Sequence, residues 1–252
     1  TTTQYGIFIS TANNASVTVY NNTVSDTTST TTSSTYGIAL NNAGYSGTDN
    51  TVIVKRNTVQ GMTSTAATSA SLYGFYIYYT TAINIYVDSN KFINNKWGGT
   101  TQTATGTVYG FYIYPYTTAP TTGSIQYVTN NYMAGNKRTQ STVGSGTLYG
   151  MYIYYGNQTV NAYNNVIEND SLAVTTSTQY YMYIYNYYAT TVNYYNNTIK
   201  NIYKGNGSTG ALYGFYISNA AYTGTFNFYN NTANNFKGAG NATGTMYGIY
   251  NA

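Results

Sequence analysis

Residues 213–236 read YGFYISNAAYTGTFNFYNNTANNF, and residues 149–170 read YGMYIYYGNQTVNAYNNVIEND. Each opens on Tyr-Gly-apolar-Tyr-Ile, crosses a short polar break, then alternates side chains up to an Asn. That alternation is the two-residue period of a strand, and neither run carries a helical period. The opening motif recurs at Tyr5, Tyr36, Tyr73, Tyr109, Tyr149, Tyr180 (with Tyr181 in the Gly place), Tyr213 and Tyr247, at a mean spacing near 35 residues. A repeat of that length marks a stack of small units that cannot bury their apolar faces alone.

Between successive motifs stands one Asn at a constant phase: Asn22, Asn57, Asn90, Asn131, Asn165, Asn197 and Asn231. Apolar residues precede it by five and three places, as in Val52/Val54 and Val192/Tyr194, and one follows two places later, as in Val59 and Ile167. Four places after it come Asp26, Gly61, Asn94, Gly135, Asn169, Asn201 and Asn235, all types that tolerate a left-handed backbone. The pattern predicts a strand, an inward Asn and a left-handed corner into the next strand. The inward pair of the Tyr-Gly strand is Phe75/Ile77, Phe111/Ile113 and their equivalents. Thr/Ser/Gly-rich stretches at 27–35, 63–71, 99–107 and 139–147 link each corner to the next Tyr.

The expected fold is therefore all-β: a right-handed parallel β-helix of about seven coils in one domain, 1–252, because parallel crossovers are right-handed. Propeller blades would want hairpin turns in every unit, and the repeats lack them. At about 4.8 Å per layer the stack would be a rod roughly 35 Å long. No polar capping repeat is visible, and the first and last residues fall at nearly the same phase, so a segment of a longer solenoid or a head-to-tail filament is expected.

Composition narrows the chemistry. The chain has 252 residues, 35 of them Tyr, with nine Lys+Arg, five Asp+Glu, a net charge of +4, and neither Cys nor His. Disulfides, thiolate metal sites, Cys nucleophiles and His-dependent mechanisms are excluded. So dilute a positive charge predicts no nucleic-acid partner, and no apolar run is long enough to predict a membrane span. An aromatic content of 17% argues against disorder.

The two quoted runs resemble right-handed β-helix repeats of very large secreted and cell-surface proteins of Bacteroidota, many of them cargo of type IX secretion. The likeness covers nearly the whole chain. It implies an extracellular location, membership of a longer polypeptide, and an adhesive or structural role. The absence of an initiator Met and signal peptide fits a mature segment. The resemblance also points to O-glycosylation at Thr27 and Ser171, within Asp26-Thr27-Thr28 and Asp170-Ser171-Leu172.

Function is read by column. The Asn column is expected to be a structural ladder of stacked amides. Tyr76, Tyr112, Tyr152, Tyr183 and Tyr216 form one outward column, and Tyr78, Tyr114, Tyr154 and Tyr185 a second two residues on. Tyr20, Tyr163, Tyr195 and Tyr229 repeat on the outer face of the Asn strand. Outward aromatics in such number predict lateral packing in an assembly or, alternatively, glycan binding by ring stacking; stabilisation of the sheet alone is the plainest reading. Lys55 with Asp88 and Glu168 with Lys200 are expected to pair across coils. Lys96, Lys137 and Lys237, with Arg138 and Lys204 one place on, suggest a broken basic stripe. The carboxylates are too scattered for acid/base catalysis or a calcium site, so no catalytic residue, metal or cofactor is assigned. A non-enzymatic extracellular fibre, sheath or adhesin follows.

Overall fold

A computed structural model describes residues 3–10, 15–30, 33–43, 50–64, 70–78, 82–98, 106–115, 122–138, 146–154, 158–172, 176–185, 189–218 and 224–252. The linker segments 65–69, 99–105 and 139–145 lie outside them. The described residues form a parallel β-solenoid, with strands and no helix. One sheet stacks eight Tyr-Gly strands such as Leu72–Tyr78 and Val108–Tyr114; a second stacks seven strands such as Asn84–Asp88 and Thr159–Tyr163. These counts are close to the seven coils expected. The third face carries three-residue strands such as Val166–Glu168, followed by two-residue strands such as Ser171–Leu172. The two become one strand in Thr198–Lys204. Equivalent residues pair in parallel register, Phe111 with Phe75 and Met151, Val128 with Val87 and Ala162.

All seven predicted corners are left-handed, with φ between 52° and 66° from Asp26 through Asn235. A second left-handed position falls immediately before each ladder Asn: Asn21, Arg56, Ser89, Asn130, Asn164, Asn196 and Asn230, at φ 53–57°. Two bends thus flank each ladder Asn and turn its side chain inward.

Inside, the amides are saturated. Asn131 Nδ2 donates to Val87 O at 2.8 Å in the coil before and to Asn165 Oδ1 at 3.0 Å in the coil after. Its Oδ1 accepts from Asn90 N at 3.0 Å and Asn90 Nδ2 at 3.1 Å. The amide-to-amide bond repeats from Asn22 to Asn231, with Nδ2–Oδ1 distances of 2.9–3.1 Å. Around the ladder pack the predicted inward residues, from Val52, Phe75 and Ile85 through Ile199 and Ile217.

Glycine in the Tyr-Gly motif answers a close approach of backbones. A Cβ on Gly110 would lie 2.6 Å from Gly150 O and 2.8 Å from Met133 Sδ.

The inward column that runs from Val17 to Phe226 on the second sheet breaks the apolar rule at one position. Gln126 stands between Ile85 and Val160 in register, fully buried, with neither amide atom hydrogen-bonded. An orphaned buried polar group costs about 1–3 kcal/mol. Gln126→Leu is therefore expected to raise stability by about 1–3 kcal/mol in urea unfolding; an unchanged or lower midpoint would show that the amide is satisfied in solution.

Candidate functional site

A continuous surface of like side chains covers the outer face of the Tyr-Gly sheet. Because the register is exact from coil to coil, Tyr residues spaced by one repeat stack along the axis. The motif-opening tyrosines, read from sequence as markers of the repeat and not as an outer column, stack along the whole length: Tyr5, Tyr36, Tyr73, Tyr109, Tyr149, Tyr180, Tyr213 and Tyr247, with ring centroids 4.7–5.3 Å apart. The predicted column Tyr76, Tyr112, Tyr152, Tyr183 and Tyr216 continues to Tyr250 at 5.1–5.4 Å. The third, Tyr78, Tyr114, Tyr154 and Tyr185, stacks at 4.5–5.2 Å. Columns one and two meet edge to face, at 81° for Tyr109–Tyr112 and 89° for Tyr180–Tyr183. Where Ala39 interrupts column two, Tyr76 reaches the ring of Tyr36 at 5.1 Å and Ala39 is wholly covered.

The sequence reading expected more exposed aromatic area than this face offers. The tyrosines of its middle coils are half-buried, because each ring covers its neighbours' faces and leaves edges outward. Aromatic pairs of this kind contribute about 0.5–1.5 kcal/mol each. Burial, followed by the neighbouring phenols, pushes the Tyr180 and Tyr183 hydroxyls up to about 12 and also raises Tyr112 and Tyr152. The face carries no charged side chain in any of its three columns. Chemically it is a rigid array of neutral phenols.

The outer face of the second sheet differs. Tyr86 and Tyr127 stack at 5.1 Å, and Tyr163, Tyr195 and Tyr229 stack at 4.8 and 5.0 Å. Between them lies an open cleft of about 410 Å³. Lys55 Nζ pairs with Asp88 Oδ2 at 2.9 Å, and Thr129 Oγ1 and Asn130 Nδ2 donate to Asp88 Oδ1 at 2.9 and 2.8 Å. These bonds outweigh burial and hold the Asp88 carboxyl below its usual range. The other expected pair, Lys200 with Glu168, also forms at 2.9 Å, and Tyr132 donates to Glu168 at 2.6 Å.

The basic stripe is not one surface. Lys96, Lys137 and Lys237 are exposed, but Arg138 and Lys204 point inward and are only 4% and 1% exposed. Strand pleating puts neighbours on opposite faces. Arg138 donates to Gly146 O at 2.7 Å, just before the next Tyr strand, and Lys204 to Gly244 O at 2.9 Å, before the Tyr strand one coil further on. Ser171 is half-buried between Asp170 and Leu172, each 1% exposed. Thr27, also half-buried, falls in the inward column of Met62 and Asn95 by its hydrogen-bond register.

That column hides a second ladder the sequence reading missed. Asn95 Nδ2 donates to Asn136 Oδ1 at 2.9 Å, and Asn136 Nδ2 to Asp170 Oδ1 at 3.1 Å. Met62 N joins one end by donating to Asn95 Oδ1 at 2.9 Å.

Set against protein-family models, curated proteins and solved structures, the chain matches none.

Proposed function

We propose that this chain is a non-enzymatic structural element of an extracellular fibre, sheath or surface adhesin, whose tyrosine face makes lateral contacts. The contacts would be with a second copy or with neighbouring segments of the same long polypeptide. The observation that carries this reading is the three-column ring face of the Tyr-Gly sheet, pre-ordered and uncharged. Rings already fixed by stacking lose little freedom when a partner arrives, and an uncharged face suits another like itself. Its ring faces are occupied by each other, which disfavours sugar stacking there and favours edge contacts. Along the axis, backbone bonds and the Asn ladder would carry load.

The carboxylates support the non-enzymatic part. Asp88 and Glu168 are held in ion pairs, Asp170 is buried in the second ladder, and Asp26 occupies a corner. Asp49 lies outside the described residues.

Tyr112→Ser, Tyr152→Ser and Tyr183→Ser in one chain is the test, with Tyr195→Ser on the second sheet as control. Sedimentation velocity and electron microscopy are expected to show bundles for wild type and control and single rods for the triple variant. Equal bundling by all three would remove the lateral role of this face.

A further inference from the structure

The outer column of the second sheet changes character along the rod. In register it runs Tyr20, Lys55, Asp88, Thr129, Tyr163, Tyr195 and Tyr229. Tyr163 stacks on Tyr195 at an interplanar angle of 11°, so its plane lies across the rod axis and its second face looks back toward Thr129. Thr129 is small and 5% exposed, and no ring stacks on that side among the described residues. The space beside Thr129 is the cleft, whose lining includes Tyr163, Tyr127, Lys55, Asp88 and Asn130. This is an open aromatic face opposite a fixed polar set, which the main tyrosine face does not offer.

We propose that the cleft over Thr129 binds a neutral pyranose unit of a saccharide, its C–H face on Tyr163 and its hydroxyls on Asp88, Asn130 and Lys55. The volume of about 410 Å³ falls in the range of small-ligand sites. Charge selects the class. Lys55 lies 2.9 Å from Asp88, so the polar end is neutral as a pair, and an ammonium or a carboxylate entering it would have to break that pair. An apolar ligand would take water from the Lys55–Asp88 pair and return no hydrogen bond to it, which is costly. A sugar offers one apolar face and a rim of hydroxyls that both donate and accept, matching both walls. Three bonds already orient the Asp88 carboxylate. The site does not rest on lateral contacts of the tyrosine face, and the two can fail separately.

Saturation-transfer NMR on the full chain tests it, using the methyl glycosides of glucose, galactose and mannose, N-acetylglucosamine, and tetramethylammonium and acetate as charged probes. Transfer to at least one neutral pyranose is expected. It should vanish in Tyr163→Ala, which removes the platform, and in Thr129→Tyr, which fills the cleft and completes the ring column. It should persist in Tyr112→Ser. Because the two cleft variants change volume in opposite directions, a shared loss with native circular dichroism identifies the cleft. No transfer to any neutral sugar, transfer to the charged probes alone, or transfer surviving Thr129→Tyr would overturn the proposal.

Discussion

Asn131→Leu is expected to destabilise the solenoid by about 4 kcal/mol, since it takes a hydrogen bond from each of four buried groups, two of which, Asn90 Nδ2 and Asn165 Oδ1, keep another, and such losses cost about 1–3 kcal/mol where a group is left unpaired. Those groups are Asn90 N, Asn90 Nδ2, Val87 O and the share of Asn165 Oδ1 that Asn131 Nδ2 occupies. Leu adds apolar volume but restores none of these bonds, and its two γ-branches meet amides above and below. Against a typical total of about 5–15 kcal/mol, the variant should unfold at much lower urea or fail to fold. Asn22→Leu is the comparison. Asn22 is only partly buried, and its Nδ2 bonds Tyr20 O in its own coil rather than a carbonyl of a preceding one. It should cost about 1 kcal/mol. Equal midpoints for the two variants would mean that the ladder is not cooperative and that each amide acts alone.

The ladder and its corners were legible because they repeat in every coil. Asn at one phase and a Gly, Asn or Asp four places later recur through the chain, and the structure makes all seven corners left-handed. The second bend, before the Asn, was hidden by Arg56 and Ser89, residue types that do not announce a positive φ. Its signal was the Asn pair at 21–22, 130–131, 164–165, 196–197 and 230–231. The second ladder occupies only Asn95, Asn136 and Asp170, with Met62 and Ile202 at the same place in the flanking coils, so no period exposes it. Arg138 and Lys204 were misplaced because charge was read as exposure. Trp97 and Leu172 share their column and mark it as inward.

The tyrosine columns were legible in position and misjudged in exposure. A column is a statement about sequence phase, whereas exposure depends on how rings lie against one another. Tyr112 and Tyr152 stack at 2° and 5.2 Å, so each loses the face that would otherwise meet solvent. The cleft over Thr129 was invisible for the converse reason. It arises where a column lacks a ring, and a missing side chain leaves no motif.

Asp170 makes stability depend on pH in the direction opposite to an ion-paired carboxylate. It is 1% exposed; Oδ1 accepts from Asn136 N at 2.8 Å and Asn136 Nδ2 at 3.1 Å, while Oδ2 has no hydrogen-bond partner. Burial is the main cause, with Glu168 adding to it against the two Asn136 bonds, and together they push the carboxyl up to about 7. The other groups coupled to it are the phenols of Tyr181, itself buried, and Tyr132; Glu168 is paired with Lys200. In the unfolded chain the group titrates near 4, so below that pH both states hold the proton and stability is full. Between about 4 and 7 the unfolded state releases the proton first and gains on the folded one. The loss is about 4 kcal/mol, complete once the folded group also ionises. Asp88 and Glu168, held below their usual range, lose their contribution at the acid end instead, as the pH falls below about 4. Asp170→Asn separates the two. Its amide keeps the Oδ1 acceptor and supplies a permanent donor, so urea midpoints should fall from pH 5 to 8 in wild type and stay level in the variant. A wild-type midpoint constant over that range would show that Asp170 is ionised at little cost, and that the second ladder ends in a solvated charge.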